Sequence, residues 1–226
     1  MPFLDDIGPR DERRGPTWAA FATIGGQVER LVAVNVGWSL VAAPGVVALA
    51  FAELPGWLRI MLGLASASAL PLATAALFAL AGVACREQHV DLALAKELTR
   101  ELAGRSVRVL APLYGTFGVL VWAGIMAGMA GFSALTTVVT LVALLWSVCA
   151  IYWGPLFVAQ PHRSARHIAR TSVRLVTRHP EQSLWTWVMT AAVLVVGAVS
   201  IAGLVLIVPV LVAVLHAHRL ERLMPS

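Results

Sequence analysis

Arg166, Arg170, Arg174 and Arg178 recur at intervals of four, and Arg163 precedes them. On a helix of 3.6 residues per turn each step drifts by roughly 40°, so the four make one stripe. Ala165, Ile168, Ala169, Val173 and Val176 lie mostly off that stripe. A row of guanidinium groups attracts anions. Two readings fit: contact with the anionic cytoplasmic leaflet, or a docking surface for a partner.

Other reactive side chains form no constellation. Asp91, Glu97 and Glu101 sit in a polar helical stretch with Lys96, Arg100 and Arg105, where solvated pairing is expected. His162 and His167 are five apart, the wrong spacing for one helical face. His216 and His218 stand beside Arg219 at a helix end and read as interfacial polar residues. Cys85 and Cys149 lie in apolar surroundings and read as reduced packing residues. No glycine-rich phosphate loop, HExxH or GxSxG occurs. These residues predict no enzyme, no cofactor and no metal site.

The elements that must carry the arginines are apolar. Between Arg108 and Arg163 the chain runs 54 residues without a charge. Leu31–Ala52, Ile60–Cys85 and Gln182–His218 are also charge-free, and the four runs total 139 of 226 residues. About 20 apolar helical residues cross a hydrocarbon core of ~30 Å. Inside lipid the backbone must satisfy itself, and these runs lack the alternation of a barrel strand. The sequence therefore predicts an all-α, polytopic helical membrane protein. The net charge of +5 is small, and the basic residues flank crossings, so nucleic acid is not an expected partner.

Residues 1–16 hold Pro9, Gly15 and Pro16 and no apolar signal core, and are expected to be a flexible cytoplasmic tail. A single membrane domain should occupy 17–222. Thr17–Arg30 has an amphipathic face at Trp18, Phe21, Ile24 and Val28. Crossings are expected at about Leu31–Phe51, Ile60–Ala84, Val109–Ala130 and Ser133–Val158, with Gly128, Gly131 and Ser133 marking a tight turn. Two cytoplasmic amphipathic helices are expected between crossings. One lies in 86–108, where Val90, Leu94, Leu98 and Leu102 recur by fours; the other is Ser164–Arg178. Gln182–His218 would be about 55 Å as one helix. It is read as one crossing that continues past the bilayer, giving five. Folding back near Gly197–Gly203 would give six.

Basic residues set the orientation. Five crossings with the N-terminus inside leave 14 basic residues on the cytoplasmic side and 3 outside; six leave 16 and 1. A cytoplasmic N-terminus follows as an expectation.

Asn35 and Trp38 share a face, and Tyr152 lies in the fourth crossing; all three should hydrogen-bond between helices. Pro44, Pro71, Pro155 and Pro209 fall within the runs and are read as kinks that free backbone carbonyls. Gly124 and Gly128 permit a close helix contact, within the chain or between copies.

Asn35-x-x-Trp38 with Pro44, then Leu70-Pro71-x-x-x-Ala75-Ala76-Leu77, resembles the opening helix pair of the YesL-like family of bacterial membrane proteins. Tyr152-Trp153-Gly154-Pro155-Leu156, the arginine helix and Arg178-His179-Pro180 are similar to that family's second half. The resemblance spans roughly residues 25–222. It implies a polytopic protein of the bacterial inner membrane associated with carbohydrate uptake, acting beside transporter subunits, with no catalytic residues to carry over. The expected function is an accessory or partner-binding membrane protein. The alternative is a small permease or channel for neutral solutes, suggested by the prolines and intramembrane hydroxyls.

Overall fold

The computed structural model describes residues 28–51, 53–85, 92–199 and 207–223. The expected tail and most of the segment 17–30 lie outside them. Among the described residues every regular element is helical: α1 Val28–Ala50, α2 Gly56–Cys85, α3 Leu92–Met129, α4 Ser133–Ala150, α5 Trp153–Ala159, α6 Ala165–Arg178, α7 Pro180–Val199 and α8 Val208–Leu223.

Four stretches are long and apolar enough to cross a membrane: Glu29–Ala48, Gly56–Cys85, Ala93–Met129 and Ser133–Ala159. They coincide with the first four expected crossings. Their outward faces are apolar too. Val119, Trp122 and Ile125 on α3 are exposed, as are Leu135, Val138 and Leu141 on α4. Leu145 is 70% and Met129 79% exposed. A soluble protein rarely shows so wide an apolar patch; hydrocarbon would cover it.

α1 and α2 form an antiparallel hairpin joined by small residues. A Cβ on Gly45 would lie 2.8 Å from the Ser66 hydroxyl, so glycine lets α2 approach. Ser66 Oγ donates to the Val41 carbonyl at 2.9 Å. Pro44 lacks the N–H that would bond the Leu40 carbonyl four residues back, next along the helix from the carbonyl that Ser66 uses. Arg59, the one basic residue of the α1–α2 turn, donates Nε–H to the Ala48 carbonyl at 3.0 Å. It thereby caps the end of α1.

The α3–α4 turn is a Schellman closure. Gly131 has φ +78°. Phe132 N–H reaches the Ala127 carbonyl at 3.0 Å and Gly131 N–H the Gly128 carbonyl at 3.1 Å. A left-handed residue is needed there, which glycine adopts without steric cost. Gly124 and Gly128 then face α4 of the same chain. A Cβ on Gly124 would meet Val139 at 3.6 Å, and one on Gly128 would meet Thr136 at 3.7 Å. The glycine pair thus serves the α3–α4 contact within the chain, one of the two readings its spacing allows.

Three further expectations are revised. The stretch 92–108 is not a separate surface helix; it is continuous with crossing three in the 38-residue α3. At 1.5 Å per residue α3 is about 57 Å long, so one end stands well clear of a ~30 Å core. Its Leu94, Ala95 and Leu98 pack on the cluster of Leu31, Leu77, Leu80 and Val214. The apolar stripe therefore meets protein.

The run 182–218 is not one helix. It contains α7 and α8, which lie antiparallel: Arg219 bonds to Thr186, and Thr190 to His216. Nor do all four prolines kink helices. Pro44 and Pro71 lie inside α1 and α2. Pro155 and Pro209 fall in the first turns of α5 and α8, where a missing N–H removes no helix bond.

Candidate functional site

Hydroxyls on α7 organise the polar interior. Ser183 donates to the His179 carbonyl, Thr186 to that of Gln182 and Thr190 to that of Thr186, each at 2.8 Å. A hydroxyl has one proton to give and two lone pairs to receive with. Each oxygen is thus left to accept from another helix. Tyr152 O–H reaches Ser183 at 2.6 Å, Arg219 Nε–H reaches Thr186 at 2.8 Å, and His216 Nε2 lies 2.9 Å from Thr190. With the Thr190 proton engaged, the histidine donates from Nε2. Its buried Nδ1 then keeps only an unpartnered lone pair. Trp187 repeats the pattern toward α4, donating to Ser147 at 2.9 Å.

This network gathers near the start of α7 and buries residues that the sequence placed at the interface. His216 and Arg219 are both buried, because Thr190, Thr186 and Gln182 of α7 receive them. The missed signal was the four-residue spacing of Gln182, Thr186 and Thr190 at the head of an apolar run.

Tyr152 sits where α4 breaks before α5, and it is buried with Trp153, Leu156 and Phe157. Trp146 and Tyr114 meet the Trp153 ring edge-on, with centroids 5.4 and 5.2 Å away. These side chains fill the bundle beside the polar network.

Asn35 and Trp38 reach different helices. Trp38 Nε1–H donates to Thr74 of α2 at 3.2 Å. Asn35 Oδ1 accepts from Val210 N–H at 2.8 Å. Val210 is the third residue of α8, so Asn35 acts as an N-cap delivered from α1. The interhelical hydrogen bond expected of Asn35 thus includes one to a first-turn N–H of α8. Replacing Asn35 with leucine leaves that N–H buried without its acceptor. The melting temperature in detergent is expected to fall, for a loss of roughly 0.6–2 kcal/mol. An unchanged melt would show that the cap contributes nothing.

A groove of about 640 Å³ lies between α1, α2 and α3. Ala33, Gly37, Ala73 and Ala76 give it apolar walls, and Glu29, Arg30 and Thr99 stand at one end.

The arginine helix is the best-defined candidate site. Ser164 caps it, its hydroxyl accepting from His167 N–H at 3.4 Å. Ile168, Ser172 and Leu175 are buried against the bundle, and Ile168 and Leu175 share a cluster with Leu110, Leu156 and Phe157. Arg163, Arg166, Arg170, Arg174 and Arg178 are all exposed. None forms an ion pair with a described carboxylate. Because the apolar face is already covered by protein, α6 does not lie with that face in lipid. It closes one end of the bundle and turns its guanidinium groups outward.

The class defined by fold and site is an all-helical protein with four membrane-length apolar helices and a basic helix across one end. Compared with models of known protein families, with curated proteins and with solved structures, the chain matches none.

Proposed function

We propose an integral membrane protein of six crossings whose basic cytoplasmic end docks an acidic surface of a membrane partner. The observation that carries this is the stripe on α6: four exposed arginines, with Arg163 just before them, that form no ion pair with a described carboxylate, on a helix anchored by its buried face. The α7–α8 hairpin supports six crossings. It brings Arg219 and Arg222 to the side of α6 and leaves Arg59 as the single basic residue opposite among the described residues. By the positive-inside rule that charge pattern favours a cytoplasmic N-terminus. The resemblance to YesL-like proteins suggests a transporter subunit of a carbohydrate-uptake system as the partner.

The protein acts here as an adaptor and not as an enzyme. A permease for neutral solutes is less well supported. The hydroxyls of Tyr152 and Ser183 bond each other and Ser147 accepts from Trp187, and Tyr152, Trp153, Leu156 and Phe157 fill the space beside them. The test is a photocrosslinking residue at the exposed Thr177, between Arg174 and Arg178. In whole cells it should give one discrete adduct with a membrane protein, and loss of the stripe should abolish it. No adduct, or one indifferent to the arginines, would contradict docking.

A further inference from the structure

We propose that a second basic feature, the cleft between α3 and the turn into α6, is a phosphate site for the headgroup of an anionic phospholipid. The cleft is about 510 Å³, and Arg105, Arg108, His162 and Arg163 contribute its charged and titratable side chains. Among the described residues no carboxylate lines it. Ser164 and Ala165 complete it, so the positive end of the 14-residue α6 lies at its rim.

Arg105 is fixed in place. Its Nη2 donates to the Gln160 carbonyl at 2.6 Å, and its guanidinium lies over the Phe157 ring, 4.0 Å from the centroid. Its Nε is buried and has no acceptor among the described residues. A guanidinium held by one edge, with a further N–H to give, suits a phosphate oxygen. Arg108 and Arg163 are exposed on either side and make no ion pair with a described carboxylate. The site is thus a set of unneutralised donors around one pre-positioned arginine.

The level of the cleft selects the source of the phosphate. Arg108 and Arg163 are the two charges that bracket the 54-residue apolar run. They stand where a hydrocarbon core gives way to headgroups. Val109 lines the cleft and Val107 is exposed on the same turn of α3. A diacyl phosphate can therefore keep its chains in the bilayer while its headgroup enters from the side. A free phosphate has no such second attachment.

The inference does not rest on the docking role of α6, and the experiment separates the two. The full chain is purified in a neutral detergent and offered phosphatidylglycerol or phosphatidylcholine, and retained lipid is counted by native mass spectrometry. One phosphatidylglycerol per chain is expected to be held in preference to phosphatidylcholine. The variant Arg108→Gln/Arg163→Gln should lose about thirtyfold in affinity. Both side chains are exposed, so this variant keeps the Arg105 anchor and the bundle intact. Arg166→Gln/Arg170→Gln/Arg174→Gln should retain the lipid as the parent does. Equal retention of the two lipids, or unchanged retention in the Arg108/Arg163 variant, would overturn the site. Displacement of phosphatidylglycerol by millimolar inorganic phosphate would overturn its assignment to lipid.

Discussion

Gly154→Ala is expected to destabilise the bundle by about 3 kcal/mol, the upper end of what overpacking usually costs. A Cβ at Gly154 would sit within the van der Waals envelope of the Phe78 ring. The ring also stacks on His216, with centroids 6.2 Å apart and planes 15° from parallel, which limits its freedom to withdraw. His216 is in turn tied to Thr190. Any shift of Phe78 thus pushes on the polar contact between α7 and α8. The close approach of α2 and α5 requires a residue with no side chain. Melting in detergent measures the loss. Adding Phe78→Leu to Gly154→Ala should recover more than about 1 kcal/mol, since residues in contact do not act additively. Strict additivity of the two changes would show that the ring and the glycine do not compete for space.

Arg166→Gln/Arg170→Gln/Arg174→Gln is expected to weaken partner binding by about two orders of magnitude at low salt and to leave folding unchanged. Each charge held near an anionic surface contributes about 1 kcal/mol, and three such terms multiply into roughly a hundredfold change. The three side chains are exposed, so their removal leaves the buried face of Ile168, Ser172 and Leu175 in place. The measured quantity is the yield of the Thr177 adduct against salt. The parent yield should fall as salt rises, because exposed charges are screened over about 10 Å at 0.1 M. The variant should start low and stay flat. A variant with the parent's yield and salt dependence would reduce the stripe to a topology signal.

The sequence revealed what depends on composition along the chain. Three of the four charge-free runs account for the four membrane-length helices, the 54-residue run supplying two, because charge-free stretches of that length have few other solutions in lipid. Gly131 was readable as a turn because glycine between two apolar runs has a local cause, and Ser164 and His179 bound α6 for equally local reasons. Hidden features all depend on partners far away in the chain. Arg219 after an apolar run looks like an interfacial charge until Thr186 and Gln182, 33 and 37 residues earlier, are seen to receive it. Gly154 looks like part of a turn until Phe78 is placed against it. The stripe of Leu94 and Leu98 was legible as a stripe. Periodicity alone does not say whether its neighbour is lipid or protein. The α7–α8 hairpin was obscured because Ser200 is the single polar residue near the expected fold-back, too weak a signal to break an apolar run.

The one-sided gathering of basic residues can be tested directly by cysteine accessibility. Single cysteines at Ser164, Glu221 and Phe132, in a chain with Cys85 and Cys149 replaced, report both ends of the α7–α8 hairpin's side and the opposite turn; all three positions are exposed. A membrane-impermeant thiol reagent should label only the Phe132 position on intact cells, and the Ser164 and Glu221 positions on inverted vesicles. Labelling of Glu221 from outside while Ser164 stays protected would place α7 and α8 in one crossing and split the basic face, and labelling of Ser164 from outside would contradict a cytoplasmic docking end altogether.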